Sequence, residues 1–176
     1  MMKRPEANEF ASYYSLYIDR ITSDDIVPVL ERQLTEIGDL LNGISEADSL
    51  RRYAPDKWSM RQLLNHLNDT ERVFLFRAFW FARGFQDELP SYDQEVAAAV
   101  ANADEFSWAS HVQDFRAVRE ATLTFFRNLP EDGWSRSGVA SGNPVTVRAL
   151  AYILAGHAAH HIAVLQEKYL TNTARV

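Results

Sequence analysis

The chain predicts an all-α fold: an antiparallel four-helix bundle with an additional short helix and a long loop before the last helix. Two observations carry that reading. Apolar residues recur every three or four positions over four long stretches, while the alternation of a half-buried strand is largely absent. The 7 glycines and 6 prolines among 176 residues stand at the ends of those stretches, where helices start and stop. The length suits a single domain, 1–176, with the bundle core at about 23–170.

The first long helix is expected from near Ser23-Asp24-Asp25 to about Asn42, with Gly43 as its stop; Pro28 is tolerated only in a first turn, so the start falls there or slightly later. Val27, Leu30, Leu34, Ile37 and Leu41 form its stripe. The second helix has the clearest start, Ser59 followed three residues later by Gln62, a capping box. It runs through Leu63, Leu67, Thr70, Phe74 and Phe81 to Arg83, and Gly84 closes it. After the break at Pro90, Gln94 to Ala101 reads as the short helix. The next long helix starts near Ser107, carries the stripe Trp108, Val112, Phe115, Val118, Thr122, Phe125 and Leu129, and ends at Pro130. Residues 131–145, with Gly133, Gly138, Gly142 and Pro144, read as a loop with room for a short extended pair. The last helix runs from near Thr146 to about Leu170. The connections at 85–106 and 131–145 are long enough for a crossover.

Composition narrows the function. A net charge of −6 with no Lys/Arg run argues against nucleic acid as a partner. The N-terminus has no apolar run behind its basic start, and no apolar window is long enough to span a bilayer, so a cytoplasmic protein without a membrane partner is expected. With no cysteine, a disulfide scaffold and a cysteine nucleophile are excluded, and a metal site must use nitrogen and oxygen ligands.

The histidines are where chemistry enters. The apolar stripe of the last helix, Leu150, Ile153, Leu154, His157, His161, Val164 and Leu165, passes through two histidines at i and i+4. Residues so spaced lie one above the other, about 5–6 Å apart at Cβ, and two such imidazoles can reach one ion. Ala155, Gly156, Ala158 and Ala159 around them leave room for a pocket or for a neighbouring helix. His66, well inside the second helix, supplies a third ligand from a rigid element. His160, at i+3 from His157, competes with His161 for that role; His161 fits the buried period better, leaving His160 as a proton-transfer base or a surface residue. Asp69, at i+3 from His66, has two readings: it orients a ligand imidazole, or it pairs with Arg72. Glu71 with Arg72 reads as part of a solvated or interhelical charge network, and His111 as a flank residue.

Segments in order along the chain resemble the DinB-like metal-binding four-helix proteins, a superfamily that includes thiol S-transferases using bacillithiol or mycothiol. They are Tyr53-Ala54-Pro55-Asp56-Lys57-Trp58-Ser59, His66-Leu67-Asn68-Asp69-Thr70-Glu71-Arg72-Val73-Phe74, Arg77-Ala78, Ala82-Arg83-Gly84, Leu89-Pro90-Ser91-Tyr92-Asp93-Gln94 and Gly156-His157-Ala158-Ala159-His160-His161-Ile162-Ala163. The resemblance runs from about residue 10 to residue 170. It implies a divalent ion, often nickel or zinc, on His66, His157 and His161, and it allows a homodimer.

Three histidines leave a tetrahedral ion one open position, the pattern of a catalytic site. The expected function is therefore a metal-dependent enzyme acting on a small molecule. Two forms are expected: a hydrolase working through activated water, or a thiol S-transferase whose thiol is a low-molecular-weight co-substrate. The alternative is a non-catalytic metal-binding or small-molecule-sensing module. The Tyr13, Tyr14 and Tyr17 segment either wraps the bundle or pairs with another chain.

Overall fold

A computed structural model describes residues 3–171. Helices α1 (Ser15–Ile18), α2 (Val27–Asn42), α3 (Met60–Ala82), α4 (Gln94–Val100), α5 (Trp108–Arg127) and α6 (Val147–Val164) are joined by short 3₁₀ turns and one hairpin, and α6 continues into a π-helical turn at Leu165–Leu170. None is long and apolar enough to cross a membrane.

The caps explain most boundaries. Ser59 and Gln62 make both bonds of the capping box at the head of α3. Ser107 and Thr146 accept from Ser110 N and Ala149 N to open α5 and α6, and Asp93 opens α4. At the other end of α3, Gly84 adopts φ 87°; its N–H donates to the Phe81 carbonyl and that of Phe85 to Trp80, which closes the last turn. The first bundle helix starts at Val27 rather than at Ser23. The Ser23-Asp24-Asp25 segment instead forms a turn in which Asp25 Oδ1 accepts from Val27 N at 3.2 Å, and Pro28 takes the first turn.

Helix directions follow from side-chain pairs. Arg127 meets Glu31, and Trp108 Nε1 donates to Leu41 O, so α2 and α5 are antiparallel. His66 meets His157 while Phe81 lies against Gly138 just before α6, so α3 and α6 are antiparallel. By contrast Arg61 bonds Phe106 O, Asn68 bonds His111 O and Glu71 bonds Arg119, so α3 and α5 run parallel. The crossover is the connection at 85–106, which carries α4 back along the bundle and sets α5 down between α2 and α3.

The long loop at 131–145 is largely ordered. Strand β1 (Ser137–Ala140) pairs antiparallel with β2 (Asn143–Thr146), Val139 facing Pro144. Ser141 and Gly142, both at positive φ, make the two-residue turn. The segment before α4 joins this hairpin through Leu89, whose N–H donates to Val139 O at 2.9 Å.

Helix α6 is buried on every side from Ala149 to Ala158 rather than along one stripe, because α1, α2, α3 and the hairpin enclose it. Two apolar clusters form the core, one around the first half of α6 and the hairpin, the other where Leu63, Leu67, Trp108 and Phe115 meet. A polar chain lies between them. Fully buried Arg119 donates to both carboxylate oxygens of Glu71 at 2.8 Å and to Gln33 Oε1 at 2.8 Å; Gln33 donates on to Ala155 O at 2.9 Å. One connected set of bonds thus ties α2, α3, α5 and α6 together. Of the two readings of Glu71 and Arg72, the interhelical one holds: Glu71 pairs with Arg119 of α5, while Arg72, not bonded to Glu71, pairs with Asp69 and with Asp114 of α5. His111 is likewise no flank residue: it is buried, and its Nε2–H donates to Ala103 O at 2.8 Å.

Candidate metal centre

His66 on α3 and His157 and His161 on α6 point their Nε2 atoms at one another. His66 Nε2 lies 3.2 Å from His157 Nε2, which lies 3.0 Å from His161 Nε2. Their ligand atoms fall within 4.8 Å of one another, and among the described residues no other acid or histidine joins the group. Ligands at the edges of a zinc-like tetrahedron stand about 3.3 Å apart for bonds of about 2.0–2.1 Å, so His157 Nε2 stands from each of the other two nitrogens at about the spacing one ion requires.

The surroundings set the state of these rings. Burial lowers His66 to about 4 and His161 to about 3, and it pushes His157 well below 6.5, its three histidine neighbours adding to the effect. The rings are thus neutral at neutral pH, the form that ligates a cation. Thr70, one turn along α3, has its hydroxyl 3.3 Å from His66 Nδ1. An Nδ1–H donated there leaves the Nε2 lone pair free for an ion. Tyr17 of α1 stands edge-on to His157 with ring centroids 5.2 Å apart, and Trp58 covers His66 at 5.0 Å.

Two cavities open onto the triad. One, of about 170 Å³, is bounded by His66, His157, Thr70, Tyr13, Tyr92 and Arg77, among others. The second, of about 380 Å³, reaches His161 and is walled by Tyr53, Lys57, Trp58 and Tyr169. Gln94, at the start of α4, borders both, so the crossover segment roofs the site.

The other two residues expected at the site stand apart from it. Asp69 bonds Asn65 Nδ2 at 2.8 Å and Arg72 at 3.3 Å, and it borders neither cavity. Both offsets reach His66, but the Asp69 carboxylate is taken up by Asn65 and Arg72, the second of its two expected readings, and Thr70 stands at His66 Nδ1 instead. His160 stands behind the triad, its ring 5.0 Å from that of His161 and 5.7 Å from that of Tyr17, bordering neither cavity. Sequence reasoning did not single out Thr70, Tyr92 or Arg77 as site residues. The available signal was the spacing 66, 70, 77, which keeps one face of α3.

Residues 30–165 match the DinB superfamily. A protein of Oceanobacillus iheyensis provisionally named a metal-dependent hydrolase is 22% identical over 149 residues, covering 82% of this chain and 86% of that one. YfiT of Bacillus subtilis, described as a probable metal-dependent hydrolase with an unusual four-helix bundle topology, superposes with a TM-score of 0.73 at 17% identity, over 85% of this chain and 87% of that one. The mycothiol-dependent maleylpyruvate isomerase superposes with a TM-score of 0.67 at 11% identity; the match spans 82% of this chain but 61% of that longer one. A metal-site helical bundle is thus the class that fold and residues define. The chain belongs to the DinB superfamily.

Proposed function

We propose that this protein is a divalent-metal-dependent enzyme that hydrolyses a small molecule, with nickel or zinc held by His66, His157 and His161. One observation carries the reading. Three neutral imidazole nitrogens converge where two cavities meet, with no fourth protein ligand among the described residues. A closed structural site would complete its own coordination; three ligands and an open approach are the catalytic pattern. When bound, the ion would supply Lewis acidity at the open position. The names carried by the Oceanobacillus and Bacillus proteins support hydrolysis.

The chain's own residues do the rest. Thr70 fixes the tautomer of His66. Burial keeps the rings from taking protons in place of an ion. Tyr13, Tyr17 and Tyr92 line the smaller cavity, where their phenols serve as hydrogen-bond donors to a substrate, and burial raises those of Tyr17 and Tyr92. Trp58 and Tyr17 shield the triad from bulk water.

Transfer of a low-molecular-weight thiol is the second reading. It is favoured by the separate cavity at His161, which gives a co-substrate its own place, and by the shared fold with a mycothiol-dependent enzyme. In either reading we place the protein in the cytoplasm, with neither nucleic acid nor membrane as partner. A non-catalytic sensing role would keep the metal and show no turnover.

The test is metal content by elemental mass spectrometry for protein without a histidine tag, wild type against His157→Ala. It is followed by assays of the loaded protein on ester and amide panels, with and without a bacillithiol-like thiol. About one ion per chain, lost in the variant, with turnover lacking a thiol requirement, is the expected result. No metal after adding zinc or nickel would end the proposal.

A further inference from the structure

Arg77 is the group at this site whose charge neither metal binding nor an ion pair accounts for. It lies on the face of α3 that carries His66 and Thr70, three turns from His66, and it borders the same cavity as His66 and His157. It is only 4% exposed. Its recorded hydrogen bonds both come from Nη2, to Pro90 O at 2.8 Å and to Ser141 Oγ at 3.0 Å. Both acceptors are neutral. Among the described residues no carboxylate lies within ion-pair distance of it, whereas the other buried arginines, Arg61 and Arg119, pair with Glu46 and Glu71.

A guanidinium cannot shed its proton inside a protein, so a buried one without a counter-ion is costly. Its planar fork has donors on Nη1 and Nε beyond those Nη2 uses, in the geometry that takes a carboxylate bidentately. Phe74 stands between the two ends of the cavity: the Arg77 guanidinium carbon is 6.0 Å from its ring centroid, and His157 is edge-on to it at 6.1 Å. Tyr13 and Tyr92 add phenolic donors along the wall. The cavity is thus cationic at one end, apolar at its waist and metal-ligating at the other.

We infer that Arg77 is the anchor for a carboxylate on the substrate. The enzyme then acts on small carboxylic acids, holding the acid at Arg77 and presenting the reacting group at the histidines. This deepens the reading of the histidine site as catalytic and rests on it for the second half of that statement. The anion site itself needs only the cavity.

Benzoate is the probe, with benzamide as its uncharged counterpart and inorganic phosphate as the competing anion. The side-chain Nε–H resonance of Arg77 is followed by NMR during titration of wild type and of the metal-free His157→Ala chain, so that binding at the metal is separated from binding at Arg77. Benzoate should shift that resonance in both proteins and benzamide should not, and Arg77→Gln should weaken benzoate at least tenfold by calorimetry. An unmoved Arg77 resonance, or undiminished affinity in a folded Arg77→Gln chain, overturns the inference. Phosphate binding more tightly than benzoate overturns the assignment to carboxylates. Because the NMR readout needs no substitution at Arg77, a variant that fails to fold leaves the test intact. A wild-type chain that takes up no zinc or nickel yet still binds benzoate at Arg77 would instead count against the catalytic reading alone.

Discussion

Gly156 and Tyr17 are pressed together: a Cβ built on Gly156 would fall 2.1 Å from the Tyr17 carbonyl oxygen. Only glycine lets the backbone of α1 lie directly on α6, one residue before the ligand His157, and that contact sets the Tyr17 ring against the imidazole. Inside a helix, Gly→Ala ordinarily gains about 1 kcal/mol. Here the added methyl meets backbone that cannot swing aside, and forced overpacking costs about 1–3 kcal/mol. Gly156→Ala should therefore lower the urea midpoint and speed amide exchange at residues 13–18. A midpoint at or above that of wild type would show that α1 is not held this way.

How much of this was readable beforehand follows the range of each interaction. The caps at Ser59, Ser107 and Thr146 are local, and the sequence displays them at fixed offsets. The two α6 histidines are likewise a local spacing, and His66 stood out as a histidine inside a rigid amphipathic helix. The parallel setting of α5 against α3 was not readable, because only contacts between distant residues such as Arg61 and Phe106 decide direction. An interhelical charge network at Glu71 was one of its two readings, but its partner Arg119, 48 positions away, could not be named from local spacing. The hairpin turn at Ser141-Gly142 lacks the Asn-Gly or Asp-Gly signal that announces such a turn. Gly156 marked a close approach, but nothing in the sequence said that Tyr17 would make it.

The buried Glu71–Arg119 pair yields a sharp contrast between single and double substitutions. Breaking a buried pair leaves one uncompensated charge and costs about 3–5 kcal/mol, whereas replacing both partners by apolar residues of similar size is often neutral. Glu71→Leu alone and Arg119→Met alone should each destabilise by about that amount in denaturant unfolding, while the double variant recovers most of the loss. Because Arg119 also holds Gln33, recovery should stop short of complete. Additive losses in the double variant would mean that the two residues do not act as a pair.

Metal retention separates the neighbouring histidines. His66→Ala, His157→Ala and His161→Ala should each lose the ion, whereas His160→Ala should keep about one per chain, since the His160 ring stands outside the converging nitrogens. Thr70→Val should weaken metal affinity by about 10–100-fold without abolishing it, the usual effect of removing the group behind a ligand imidazole. Elemental analysis after dialysis against a graded chelator series reads both. Loss of metal in His160→Ala with retention in His161→Ala would exchange their roles.

Acid should destabilise the metal-free chain through its buried imidazoles. Burial holds His66 at about 4 and His161 at about 3, and His157 and His160 also sit below 6.5. As pH falls through 6.5 the unfolded chain takes up protons that the folded chain refuses, so the stability contributed by these rings is complete above 6.5 and is lost as pH falls toward about 4 for His66 and about 3 for His161. Glu9 is held below its usual range, whereas burial pushes the Asp69 carboxyl up. The interval from pH 7.5 to 5.5, read with a histidine variant beside wild type, assigns the change to the imidazoles. Urea midpoints of metal-free protein should fall across that interval, and His161→Gln should flatten the fall. With zinc or nickel added, the folded state gains a ligand that competes with the same protons, so the loaded chain should be more stable at pH 7.5 and lose stability more steeply. A midpoint that is level or rises between pH 7.5 and 5.5 would mean that the triad carries protons in the folded state, and an ion on those nitrogens would then have to displace them.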